Sequence, residues 1–141
     1  MKQEIVGVYY MGHEQVEVVL RAGDGGEFYT CPEKGSIPRI KIGADYKAWG
    51  DVVRVTLHEA LEFAMWRQGV TFEYAGDINN DAGRKLFVMR HDEFSSAAGL
   101  AADLLTACLP ELATKWKRWN KKPAGTPAVT RRNPGKRKGA R

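Results

Sequence analysis

Apolar residues recur with a period of two over the first forty positions and with spacings of three and four thereafter. Val6, Val8 and Tyr10 alternate with Ile5, Gly7 and Tyr9, which reads as a first strand buried on both faces. Gly12, His13 and Glu14 form a turn. Val16, Val18 and Leu20 then alternate with Glu17, Val19 and Arg21, a second strand with one more polar face. Gly23, Asp24, Gly25 and Gly26 signal another turn, because glycine takes positive φ without steric cost. Residues 27–31 make a short third strand and residues 32–38 a loop bounded by prolines. A fourth strand covers 39–42, with Ile40 and Ile42 on one face.

From Asp45 the period lengthens. Asp45 is placed to cap a helix over 46–68. Gly50 inside it costs about 1 kcal/mol relative to alanine, which allows a later start at Asp51. Trp49, Val53, Leu57, Ala60, Leu61 and Ala64 form its apolar stripe, and Gly69 ends it. Residues 70–74 and 85–90 read as a hairpin joined by the Asn- and Asp-rich stretch 76–83. Asp92 is placed to cap a second helix, with Phe94, Ala97, Ala98, Ala101, Leu104, Leu105, Cys108 and Leu109 buried. Pro110 bends or restarts it, and Leu112, Trp116 and Trp119 carry its apolar side to about Asn120. The sum is an α+β fold: a small, mostly antiparallel sheet with two long helices.

Charge divides the chain more sharply than hydropathy does. The net charge of +5 is an average. Residues 115–141 contain 11 Lys and Arg and no acid, whereas 1–114 hold 11 basic against 17 acidic residues. After Lys121 the chain has three prolines, three glycines and almost no bulky apolar residue, too little to offset the entropy of ordering. The expected organisation is therefore a compact domain over 1–120 and a disordered basic tail over 121–141. Such a tail meets something anionic, nucleic acid first, or folds back on its own acidic domain. Lys117, Arg118, Lys121, Lys122, Arg131, Arg132, Lys136, Arg137 and Lys138 would hold phosphates without reading sequence. Trp116 and Trp119, set among these cations, either stack on bases or cap the core from the last helical turn.

With 141 residues there is room for one domain. No run of eighteen apolar residues is present, so no membrane span is expected. The segment MKQEIVGVYY lacks the apolar stretch of a signal peptide. Cys31 and Cys108 lie far apart and in no metal-binding spacing, which reads as two reduced thiols in a soluble cytoplasmic protein, host cytoplasm if viral.

The remaining chemistry lies in the first helix. His58 and Glu62 are four apart and rise from one helical face, the spacing that lets two side chains hold one metal ion. Glu59 points about 100° round the helix, toward a metal-bound water rather than the metal. The segment HEALEFA, in a small α+β domain, resembles the active-site helix of zincin metallopeptidases, whose motif is HExxH. It looks most like the short zincin-like proteins of phages and prophages. That resemblance implies zinc as cofactor, His58 as first ligand, Glu59 as catalytic base, and Glu62 where the motif has its second histidine. The third ligand would come from His91, Asp92 or Glu93, with His91 first because nitrogen suits zinc. Each residue also has a plainer reading. His58 can bond a neighbouring carboxylate, Glu59 and Glu62 can be solvated, His91 can precede a helix cap, and His13 can sit in a surface turn. The resulting expectation is a zincin-like metal-binding domain, a metallohydrolase or one that is degenerate or inactive; the alternative is a non-enzymatic nucleic-acid-associated accessory protein acting through its basic tail.

Overall fold

In the computed structural model, residues 2–30, 36–73, 85–87 and 89–121 are described. The chain runs β1 (Gln3–Met11), β2 (Glu14–Arg21), β3 (Gly26–Tyr29), β4 (Arg39–Gly43), α1 (Trp49–Arg67), β5 (Thr71–Glu73), β6 (Lys85–Phe87) and α2 (His91–Trp119). The first four strands form one sheet in the order β1-β2-β4-β3. Its outer pairs, β1 with β2 and β3 with β4, are antiparallel, and the central β2–β4 pair is parallel. The expected α+β class is thus observed, with a mixed sheet. β5 and β6 form a separate antiparallel pair. The stretch 76–83 that joins them lies outside the described residues, as do Cys31 and residues 122–141, on which the tail expectation rests.

The turns follow their glycines. Gly12 carries φ +62 between β1 and β2, and Gly23 and Gly25 carry +95 and +69 between β2 and β3. Gly43 sits so close to the backbone of Asp24 that an added Cβ would lie 2.6 Å from its Cα.

β1 is an edge strand, not one buried on both faces. Its pairing with β2 shifts between Ile5 and Gly7, so Val6 is an extra, bulged residue. The bulge reverses the alternation: Val6 is buried before it, Tyr9 and Met11 turn inward after it, and Ile5, Val8 and Tyr10 face out. The doubly buried strand is β2, where Val18, Val19 and Leu20 are all buried in succession.

α1 packs against β3, β4 and α2. Its buried face is Val52, Thr56, Glu59, Ala60, Phe63, Ala64 and Met65, rotated from the expected stripe, and Leu57 is exposed. Thr56 is tolerated inside because its hydroxyl donates to the Val52 carbonyl at 2.7 Å. Asp45 does not cap α1; the N-cap is Ala48, without a side-chain bond. The Asp45 carboxylate instead accepts from the Gly23 amide at 2.7 Å, which ties the glycine turn to the approach of α1.

α2 starts one residue earlier than expected, and Asp92 is not its cap. The Glu93 carboxylate accepts from the Arg90 amide at 2.7 Å. Pro110 neither interrupts nor restarts the helix. Ala97, Ala101, Leu104, Cys108 and Leu112 form the buried stripe on both sides of it. By length and composition alone α2 can cross a membrane, since one 18-residue window reaches a mean hydropathy of 1.2. Alanines and leucines produce that value without an unbroken apolar run; Ala97, Ala101, Leu104 and Cys108 are buried where α2 packs on α1 and β1, while 28% of the window as a whole is buried.

Candidate functional site

Burial of the α1 face decides where its three candidate residues go. Ala60 and Phe63 are anchored in the core, and Phe63 meets Phe28 of β3 edge-to-face at 5.7 Å. Glu59 shares that inward side and is only 6% exposed. It lies directly beneath Gly26, where an added Cβ would come within 2.4 Å of its Cγ and 2.7 Å of its Oε1. Glycine at 26 is what leaves room for this carboxylate under the edge strand.

His58 and Glu62 occupy the adjacent, outer flank. The His58 side chain is 64% exposed and that of Glu62 18%. Their Nε2 and Oε1 atoms are 3.4 Å apart, so the expected i,i+4 pair is formed. This is longer than the usual 2.9–3.0 Å of an N–H···O bond.

His58 and Glu59 line an open cavity of about 380 Å³ together with Tyr46, Arg54, Gly25 and Gly26. The Tyr46 hydroxyl accepts from the Gly25 amide at 2.6 Å, and Gly43 donates to the Gly25 carbonyl at 2.8 Å. These bonds fix the glycine wall relative to α1. Arg54 stands one turn before His58, with Asp51 at 3.3 Å. The sequence reading missed Arg54 and Tyr46. Arg54 was visible as the i−4 neighbour of His58, whereas the place of Tyr46 depends on the fold.

His91 does not join this pair. It is the first residue of α2 and exposed. Asp92 pairs with Arg90 at 3.2 Å and Glu93 holds the helix start. Among the described residues, no group of three His, Cys, Asp or Glu side chains could hold a metal ion. His13 lies at the exposed rim of a second cavity, of about 530 Å³, floored by Met11, Phe63, Ala64 and Leu100. Beside it Glu14 pairs with Arg67 at 2.6 Å.

The aromatic and basic end of α2 is occupied within the domain. The Trp116 indole donates to the Ala44 carbonyl at 3.2 Å, and its ring lies 5.6 Å from that of Trp49. Lys2 sits 4.1 Å above the Trp119 ring. Both tryptophans therefore cap the core. Arg118 pairs with Glu4, and Lys115 donates to the Ile5 carbonyl at 2.9 Å. Lys117 and Lys121 are exposed. Lys122, Arg131, Arg132, Lys136, Arg137 and Lys138 lie outside the described residues.

Cys108 is fully buried and unpaired, and burial pushes its thiol up to about 11. Burial also raises Tyr9, with smaller contributions from Cys108 and Glu111. Compared with known proteins, the chain matches no family model, no curated protein and no solved structure.

Proposed function

We propose that this chain is a zincin-like metal-binding domain of degenerate type, taking a divalent ion through His58 and Glu62 without hydrolytic turnover. The observation that carries the reading is the 3.4 Å between His58 Nε2 and Glu62 Oε1. Two donors each about 2.0–2.1 Å from one tetrahedral zinc stand about 3.4 Å apart, so the pair already has the spacing of two ligands. Nitrogen and carboxylate oxygen are both donors that zinc accepts. The exposed flank leaves further coordination positions to water.

The same geometry argues against catalysis. Catalytic zinc sites use three protein ligands, and the described residues bring two together. Glu59 is packed under Gly26 and only 6% exposed, so little of its carboxylate is open to the cavity it lines with His58.

The test is calorimetric titration of metal-stripped, untagged full-length protein with Zn²⁺. The expected result is one ion per chain, lost in His58→Ala and in Glu62→Ala and retained in Glu59→Gln. No binding by the wild type refutes the proposal. Equal loss in Glu59→Gln refutes the assignment of roles.

A further inference from the structure

Among the described residues, helices cover one face of the four-stranded sheet only. Val16, Val18, Leu20, Ile40 and Ile42 point into the core shared with α1 and α2. Strand register places the opposite set on the other face: Ile5, Val8 and Tyr10 of β1, Glu17, Arg21 and the buried Val19 of β2, Arg39 and Lys41 of β4, Glu27 and Tyr29 of β3. Seven large hydrophobic side chains are exposed among the described residues, and four of them, Ile5, Val8, Tyr10 and Tyr29, belong to this face. Scattered exposed apolar residues are ordinary, but their concentration on one face marks a contact surface.

The order of residues across the face says what fits it. The middle row reads Val8, Glu17, Arg39, Tyr29: apolar, acidic, basic, apolar. A two-fold axis running along the strands between β2 and β4 lays this row on its own reverse. Glu17 then meets the second copy's Arg39, and Val8 meets the second copy's Tyr29. The rotation preserves strand direction, which suits aligned sheet packing at about 30°.

We propose that the helix-free face joins two copies of this chain in an isologous dimer. Charge supports a self-contact here more than elsewhere. Glu17 is paired with Arg39, and Glu27 with Lys41 at 3.6 Å and with Arg21 at 3.5 Å, so the face sets two carboxylates against three cations and is nearly balanced in a domain that is otherwise acidic. Arg39 uses one nitrogen on Glu17 and has further donors for a second carboxylate. Four strands about 4.8 Å apart and roughly 13–30 Å long give a face of a few hundred Å² in projection. That is the small end of specific interfaces, so the dimer is weak and reversible.

Sedimentation equilibrium of the full-length chain tests this. The mass should rise from 15.7 kDa toward twice that value over the micromolar range, up to about 100 µM. Val8→Asp, at a position already half exposed in the single chain, should give the single-chain mass throughout. Arg39→Glu should do the same, and the exchange Glu17→Arg with Arg39→Glu should restore association. Circular dichroism establishes that each variant is folded. A single-chain mass for the wild type at every concentration overturns the proposal. That holds equally if amide exchange finds the face protected, which would mean that another part of the chain covers it. A dimer unaffected by Val8→Asp also overturns it.

Discussion

Replacing Gly26 by alanine should destabilise the domain through one neighbour, Glu59. The added Cβ would lie 2.4 Å from Glu59 Cγ, 2.7 Å from its Cδ and 2.7 Å from its Oε1. Carbon atoms in contact prefer about 3.5–4.0 Å, so the carboxylate must move by more than 1 Å. Glu59 is 6% exposed on a helix anchored by Ala60 and Phe63, and little room exists for that movement. Overpacking of this kind costs about 1–3 kcal/mol. Removing a glycine also restricts the unfolded chain, which works in the opposite sense by about 0.4–1 kcal/mol. Glu59→Ala deletes all three clashing atoms. In that background Gly26→Ala should therefore be neutral or slightly stabilising, and the two substitutions should couple by about 1–3 kcal/mol. Urea denaturation of the wild type, both single variants and the double variant measures the cycle. Additivity within about 0.5 kcal/mol would refute the placement of Glu59 under the edge strand, whatever the absolute stabilities.

Two further outcomes follow from the core. Phe63→Ala empties a fully buried position between Phe28 and the Trp66 ring, 6.3 Å away, and should cost about 3–5 kcal/mol in the same denaturation assay. The Cys108 thiol, ordinarily near 9.0 and raised to about 11 in the fold, makes stability fall with alkalinity. The unfolded thiol ionises first, so the stability it contributes is complete below about pH 9 and is lost as pH rises toward 11. Denaturation midpoints across that window should drop less in Cys108→Ala than in the wild type.

Element order was legible because each element has a strong periodic signal, and the failures share a physical cause. A one-residue bulge at Val6 reversed the facing of β1, and nothing in an alternating apolar run marks a bulge. The α1 stripe was misjudged because two of its buried residues are polar. Thr56 is satisfied by the Val52 carbonyl and Glu59 is accommodated by a glycine on another strand. Neither arrangement can be seen from helical spacing, and Leu57, which fits the spacing, is exposed. The same limit applies to the site. The His58–Glu62 pair is local to one helix and could be read from the sequence. The His91 assignment required knowing how α2 sits on α1, and that geometry depends on tertiary packing.

The charge division also changes meaning once the fold is known. Residues 115–141 look like a uniform cationic stretch, yet the cations on the last turns of α2 are not equivalent. Lys115 and Arg118 both reach Glu4, and Lys115 also holds the Ile5 carbonyl beside the β1 bulge. An edge strand with free carbonyls invites pairing with another chain, and a lysine placed on it blocks that edge. These two cations therefore close the sheet edge against α2, while Lys2 does the complementary task from β1 by covering Trp119. Lys117 and Lys121 are left exposed at the end of the helix. The tryptophans hold the helix end in place, Trp116 bonded to the Ala44 carbonyl and Trp119 under Lys2. Guarding the β1 edge also bears on self-association: continuation of the sheet at β1 is opposed, which leaves the β3 edge and the helix-free face.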